Sequence, residues 1–159
     1  MHYYDYFQSP HGRMLLVADD KALTGAYFTG QKYQPRIEAG WKRDARHAPL
    51  RQAKSELAEY FSGKRKRFSV KLAPRGTLFQ RSVWKAIAGV GFGRTIPYAE
   101  LARRAGRPGS ARAAGAATGR NPIGIIVPCH RIVGSNGALT GYAGGLAKKR
   151  ALLALEARA

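Results

Sequence analysis

The chain has 159 residues, 45% hydrophobic and 10% aromatic, which is enough for a packed core and too apolar for a disordered protein. Lys and Arg number 28 against 9 Asp and Glu, a formal net charge of +19 that points to a polyanionic partner, nucleic acid first and a membrane surface second. The single cysteine excludes an internal disulfide and suits a reducing compartment, and no apolar run approaches the length of a membrane span. Met1-His2-Tyr3-Tyr4-Asp5 lacks a basic start followed by an apolar core, so no signal peptide is expected and a cytoplasmic location is.

Residues 2–29 read as a β-meander. Tyr4 to Phe7 alternates weakly, Ser9-Pro10-His11-Gly12 is a turn, and Met14 to Ala18 is a strand. Asp19-Asp20-Lys21 turns again, and Leu23 to Phe28 returns. Residues 31–46 are polar and carry no clear pattern. From Leu50 to Phe61 apolar residues recur at helical spacing, and Gly63 ends that helix. Phe68, Val70 and Leu72 alternate as one more strand, and Pro74-Arg75-Gly76 reads as a linker. The predicted division is 1–73, a linker at 74–77, and 78–159.

The second part has a different texture. Thr77-Leu78-Phe79-Gln80 fits a capping box, and Phe79, Val83 and Ile87 give the helix that follows one apolar face. Two short helices are predicted next, Tyr98 to Ala105 and Ala111 to Thr118. Gly106-Arg107-Pro108-Gly109 separates them and Ser110 is the expected N-cap, a helix-turn-helix arrangement. Asn136-Gly137 signals a hairpin, and a last helix runs from Leu146 to about Arg158. Residues 78–159 carry 13 Lys or Arg and only two acids, Glu100 and Glu156.

The second helix of the pair, Ala111 to Thr118, is almost entirely Ala and Gly, with Arg112 its one long polar side chain. Reading base edges takes several long polar residues, which are absent here. Small residues instead allow close approach to phosphates or to a narrow minor groove with one side chain inserted, and Arg103, Arg104, Arg107 and Arg120 flank the motif. The competing interpretation is a helix packed tightly inside the protein.

Cys129 follows a strand-like apolar run, Ile125-Ile126-Val127-Pro128, and precedes His130 and Arg131. Nearby cationic charge lowers a thiol's pKa, which makes this cysteine a candidate nucleophile; a buried structural thiol is the alternative. On a strand Cys129 and His130 would point to opposite faces, so a water or a local turn would have to connect them. Glu156 shares the apolar face of the last helix with Leu152 and Leu153. It either turns inward to a partner such as His130 or lies at an exposed helix end beside an Arg.

Pro128-Cys129-His130-Arg131-Ile132, preceded by Asn121-Pro122-Ile123, resembles the active-site signature of the O6-alkylguanine-DNA alkyltransferases. So do Phe79 to Trp84, Ile96-Pro97-Tyr98, Gly109 to Gly115 and Thr140 to Leu146, in order and spacing. Residues 2–73 match in layout only. The resemblance implies an α+β fold: a small N-terminal antiparallel sheet of ribonuclease-H-like type with a helix, then a mostly helical, winged-helix-like domain containing the helix-turn-helix.

It also implies roles. Cys129 would take the alkyl group, His130 would deprotonate it through a water, and Glu156 would orient the imidazole. Tyr98 would rotate the lesion's phosphate and protonate the departing guanine. Arg112 would fill the gap in the base stack, with Ser110, Ala111, Ala113, Gly115, Tyr98 and Arg120 on the DNA. Thr118, Ile132, Tyr142, Ala143 and Gly144 would line the pocket, and Asn121 would brace the junction behind it. The partner would be duplex DNA carrying O6-alkylguanine, with O4-alkylthymine a second candidate. The protein would be a monomer with no cofactor and no metal, since the zinc-binding cysteines of eukaryotic relatives are absent. The alternatives from the residues alone are a non-catalytic, lesion-sensing or regulatory helix-turn-helix protein and a Cys-His hydrolase. The latter leaves the charge and the Ala-rich helix unexplained.

Overall fold

Strands β1 (Tyr3–Ser9), β2 (Gly12–Ala18) and β3 (Leu23–Phe28) form the antiparallel meander in a computed structural model that describes residues 1–158. Side chains make both turns. Ser9 Oγ donates to the Gly12 carbonyl at 2.6 Å and accepts from the His11 amide at 3.1 Å, while Asp19 Oδ1 accepts from the amides of Lys21 and Ala22, both at 2.8 Å. Residues 31–46 contribute β4 (Lys42–Arg43), parallel to β1, so the sheet order is β3-β2-β1-β4. Met14, Leu16 and Ala18 point from β2 into the core, where α1 (Ala48–Phe61) covers them with Leu50, Ala53, Leu57 and Tyr60.

Phe68-Val70-Leu72 does not form the expected strand. The buried Glu56 carboxylate takes the amides of Ser69 (2.8 Å) and Val70 (3.2 Å), so those donors never reach a neighbouring strand. Only Leu72 meets β3, through an isolated bridge to Leu23.

The remaining elements are α2 (Leu78–Ala88), β5 (Ile96–Pro97), α3 (Tyr98–Arg104), α4 (Ala111–Gly119), β6 (Ile132–Val133) and α5 (Leu146–Arg158). The Thr77/Gln80 capping box is complete, with reciprocal bonds of 3.1 and 3.0 Å. Ser110 holds the N-cap position of α4, but its side chain makes no cap bond. The turn between α3 and α4 needs Gly106 and Gly109, which have φ of 86° and 84°. Trp84 Nε1 donates to the Ala117 carbonyl at 2.8 Å and ties α2 to α4.

The Asn136-Gly137 signal makes a tight turn closed by the Gly134 amide on the Ala138 carbonyl (2.8 Å), but no hairpin. Strand β6 pairs instead with β5, in parallel. The carbonyls of Thr140 and Gly141, which a returning strand would use, accept from the Lys149 ammonium at 2.6 and 3.2 Å. The open edge of β3 is closed by both parts of the chain. Leu23 exchanges bonds of 2.9 Å with Lys71 and Ala73, and Ala26 bonds with Pro122 (2.8 Å) and Gly124 (2.9 Å).

Candidate active site

The run before Cys129 is a turn rather than the expected strand. The Ile126 amide donates to Gly124 O (2.8 Å) and the Val127 amide to Ile123 O (2.9 Å), and Cys129–Arg131 is one turn of 3-10 helix. Strand alternation therefore does not separate Cys129 from His130. Ile125 has φ 69°, a conformation that costs a β-branched residue about 1–3 kcal/mol. Asn121 holds this bend from inside: Oδ1 accepts the Ile123 amide (3.0 Å) and Nδ2 donates to Val127 O (2.8 Å).

Behind the cysteine lies a buried polar cluster. His130 is fully buried, and its Nε2 lies 2.6 Å from Glu156 Oε2. Arg131 forks onto the same carboxylate, Nε to Oε1 at 2.8 Å and Nη2 to Oε2 at 2.9 Å, while Nη1 donates to Val90 O at 2.7 Å. The Tyr60 hydroxyl donates to Oε2 at 2.7 Å, and the Gly93 amide to Oε1 at 3.3 Å. Glu156 thus faces inward, which decides between its two sequence readings.

Burial pushes the Glu156 carboxyl up, but the bonds from His130, Arg131 and Tyr60 outweigh it and hold the group well below the usual carboxylate range. Burial, seconded by Arg131 and Lys149, lowers His130 despite the pull of Glu156. The pair is a carboxylate beside a neutral imidazole, with Nε2–H donating and Nδ1 left as the basic nitrogen. That Nδ1 is buried with no hydrogen-bond partner among the described residues.

The thiol departs from expectation. Burial raises the Cys129 pKa, offset only in part by the Asn121 side chain and the Lys149 ammonium. The Arg131 charge that the sequence sets beside the thiol is spent on Glu156. The resting group is a protected thiol that needs a base to become nucleophilic.

Cys129, 8% exposed, lines a cavity of about 780 Å³, a size suited to a small-molecule or single-base ligand. One wall is α4 from Ala113 to Gly119, with Gly115 against the Tyr98 ring; another is Gly141, Tyr142 and Ala143. Thr118, Tyr98 and Arg120 also line it. Two expected pocket residues do not. Ile132 is a fully buried core residue of β6, and Gly144 packs behind the wall, where an added Cβ would sit 2.8 Å from the Tyr142 ring and 3.1 Å from Phe28.

Arg112, Ala113, Ala116 and Gly119 form an exposed face of α4, with Ser110 and Ala111 half-buried at its start. Among the described residues nothing lies within 4 Å of a Cβ at Gly119. Internal packing therefore does not demand small residues there, which removes the packed-helix interpretation for this face. Arg103 and Arg104 are paired to Glu100 at 2.6 and 2.8 Å.

Four contributors escape a sequence reading. Lys149 is fully buried, its ammonium on three backbone carbonyls, Ile132 (2.6 Å), Thr140 (2.6 Å) and Gly141 (3.2 Å). Its one signal is its spacing, on the α5 face shared by Leu152 and Glu156. Tyr60 gives none beyond its place on the apolar stripe of α1. Lys32 and Tyr33 line the cavity from the patternless 31–46 segment, and the Arg120 guanidinium stacks over the Tyr33 ring at 3.9 Å.

A buried thiol beside a buried imidazole–carboxylate pair, a cavity with room for a base and an adjoining helix-turn-helix define a class of protein that acts covalently on a group held in DNA. Residues 78–158 match the model of the 6-O-methylguanine DNA methyltransferase DNA binding domain, and residues 2–74 match that of its ribonuclease-like domain. The methylated-DNA--protein-cysteine methyltransferase of Methanosarcina acetivorans is 46% identical over 97% of both chains. Its namesake from Mycobacterium tuberculosis is 44% identical over 98% of this chain and 93% of its own. The crystal structure of Mycobacterium tuberculosis OGT in complex with DNA superposes with a TM-score of 0.90 at 42% identity, covering 98% of this chain and 93% of that one. This chain belongs to the 6-O-methylguanine DNA methyltransferase family. Among the described residues no cluster of His, Cys, Asp and Glu could hold a metal ion, and no helix is long and apolar enough to cross a membrane.

Proposed function

We propose that the protein repairs DNA by direct reversal, taking the alkyl group of O6-alkylguanine onto Cys129 and leaving guanine in place. The observation that carries this is the single cysteine of the chain opening onto a cavity with room for a base, between α4 and Tyr142, backed by the His130–Glu156 pair. An alkyl carbon inside a duplex is out of reach, so the nucleotide must leave the stack and enter the cavity. Arg112, on the exposed face of α4, is our candidate to take its place, with the small residues Ala113 and Gly115 close to the backbone.

In the transfer step His130 Nδ1 receives the thiol proton through a water. The sulfur attacks the alkyl carbon, and a carbon–sulfur bond forms as the bond to O6 breaks. The electron pair of that bond passes to the guanine, and the Tyr98 hydroxyl supplies the proton that neutralises it. The thioether has no route back, so each molecule acts once. The unpartnered Nδ1, the ionised Glu156 and the raised thiol pKa all support base-on-demand activation of this kind. We further propose a cytoplasmic monomer in which residues 1–73 support a DNA-binding and transfer unit at 78–159.

Intact and peptide-level mass spectrometry tests this after mixing with duplex DNA carrying one O6-methylguanine. One methyl per protein is expected, on the Cys129 peptide, and none in Cys129→Ser, which should still bind the duplex. An unmodified Cys129 on a bound duplex would replace transfer with lesion sensing.

A further inference from the structure

The carboxylate behind the imidazole is held by a residue from the other part of the chain. Tyr60, in α1, is 1% exposed, and its hydroxyl reaches Glu156 Oε2 at 2.7 Å. Its ring is clasped by Phe61, Phe68 and Phe92, with centroids at 5.2, 5.6 and 6.3 Å. Oε2 also accepts from His130 Nε2 at 2.6 Å and Arg131 Nη2 at 2.9 Å. Three donors on one oxygen share its lone pairs, and each weakens the pull on the others.

Orientation alone does not require the phenol. The Arg131 fork and the Gly93 amide already fix the carboxylate, and a phenylalanine would fill the same aromatic space. What the hydroxyl adds is withdrawal of charge from the oxygen that faces His130.

We infer that Tyr60 is a positioning residue for alkyl transfer: through its hydrogen bond to Glu156 the N-terminal part of the chain limits how strongly that carboxylate holds the His130 Nε2–H, and so keeps Nδ1 free to accept the cysteine proton. This rests on the reading of His130 as the base of the reaction. The charged and titratable groups around the pair are Arg131 beside His130, Lys149 from α5, Cys129, Tyr142 and Tyr60 itself. Of these, only Tyr60 comes from residues 1–73. Arg131 and Lys149 act on the imidazole as fixed positive charges, whereas Tyr60 acts only through the shared oxygen. An unshared Oε2 draws the Nε2 proton closer and favours the imidazolium, which has no basic nitrogen left.

The test compares wild type, Tyr60→Phe and protein with a ring-fluorinated tyrosine at position 60. It follows the His130 Nε2–H proton resonance by nitrogen-edited NMR and, on the same samples, single-turnover methyl transfer from an O6-methylguanine duplex across pH. Tyr60→Phe should move the resonance downfield and make transfer fail at a higher pH than in wild type. The fluorinated phenol, a stronger donor of the same shape, should move both the other way, and it decides the matter alone should Tyr60→Phe not fold. Phe68→Leu, which loosens the same ring without a polar change, should leave both where they are. An unmoved resonance with a wild-type pH profile in both Tyr60 replacements overturns the inference. Failure of wild type itself to gain a methyl on Cys129 removes the underlying reading instead, and is recognised because it does not depend on residue 60.

Discussion

At the residue scale the site is governed by three buried charges, Glu156, Arg131 and Lys149. Glu156 is ionised because five donors surround it, two of them on the Arg131 cation. Its folded pKa lies below the ordinary 4.5, so its contribution to stability is complete above that pH and is lost as pH falls below it. The buried neutral His130, held below its ordinary 6.5, adds the same sign of dependence higher up, so stability followed by circular dichroism should start to fall as pH drops below 6.5 and fall more steeply below 4.5. Glu156→Gln should lower stability at pH 7 by about 3–5 kcal/mol, because Arg131 is left buried without its counter-charge. A neutral result would mean that Arg131 finds another partner. Lys149 has no carboxylate and spends its protons on the carbonyls of the Ile132–Gly141 segment. Lys149→Met should destabilise by about 2 kcal/mol or more and make the Cys129 thiol less acidic, since the ammonium that favours the thiolate is gone. The pH dependence of Cys129 reaction with a small disulfide reads this directly, and an unchanged profile would remove Lys149 from the thiol's environment.

At the element scale the decisive piece is α4. Its Ala and Gly residues fall on two faces for different reasons: Ala114 and Ala117 pack inward, while Ala113, Ala116 and Gly119 are exposed beside the cavity. Arg112 is the long side chain on the exposed face. Arg112→Ala should slow repair of a duplex by at least about 10-fold while leaving reaction with free O6-methylguanine nearly unchanged, because the free base needs no extrusion. Equal losses on both substrates would refute the role. The helices α1 to α5 were legible because each carries a stripe, a cap or a glycine stop in its own sequence. The expected strand at Phe68–Leu72, the Asn136-Gly137 hairpin and the strand before Cys129 were not. Each was diverted by a polar side chain lying outside the segment itself: Glu56 of α1 took the amides at Ser69 and Val70, Lys149 of α5 took the carbonyls at Thr140 and Gly141, and Asn121 braced the turn before Cys129.

At the scale of the whole molecule two properties stand out, the +19 charge and the way the two parts of the chain share one edge strand. Phosphate contacts release counterions, so binding to unmodified duplex should weaken steeply and linearly in a log–log plot against salt. Fluorescence anisotropy at several salt concentrations gives the slope, and a flat response would mean that the charge serves something other than DNA. Both Lys71–Ala73 and Pro122–Gly124 bond to β3, so the sheet that α1 covers also anchors the turn that presents Cys129. Tyr60 adds a second joint, from α1 to Glu156.

The sequence by itself determined the meander, the five helices, the basic charge and the choice of Cys129 and His130 as the candidate reactive pair, and the resemblance carried by its signature implied the α+β class. These depend on short-range periodicity, caps, turns and one local signature. Only the tertiary structure decided that Cys129 begins a 3-10 turn, that its thiol is masked by burial, that Glu156 faces inward, and that Tyr60, Arg131 and Lys149 complete the cluster. Burial and hydrogen bonding between residues as far apart as Tyr60 and Glu156 are set by how the elements pack, and no local pattern encodes that distance.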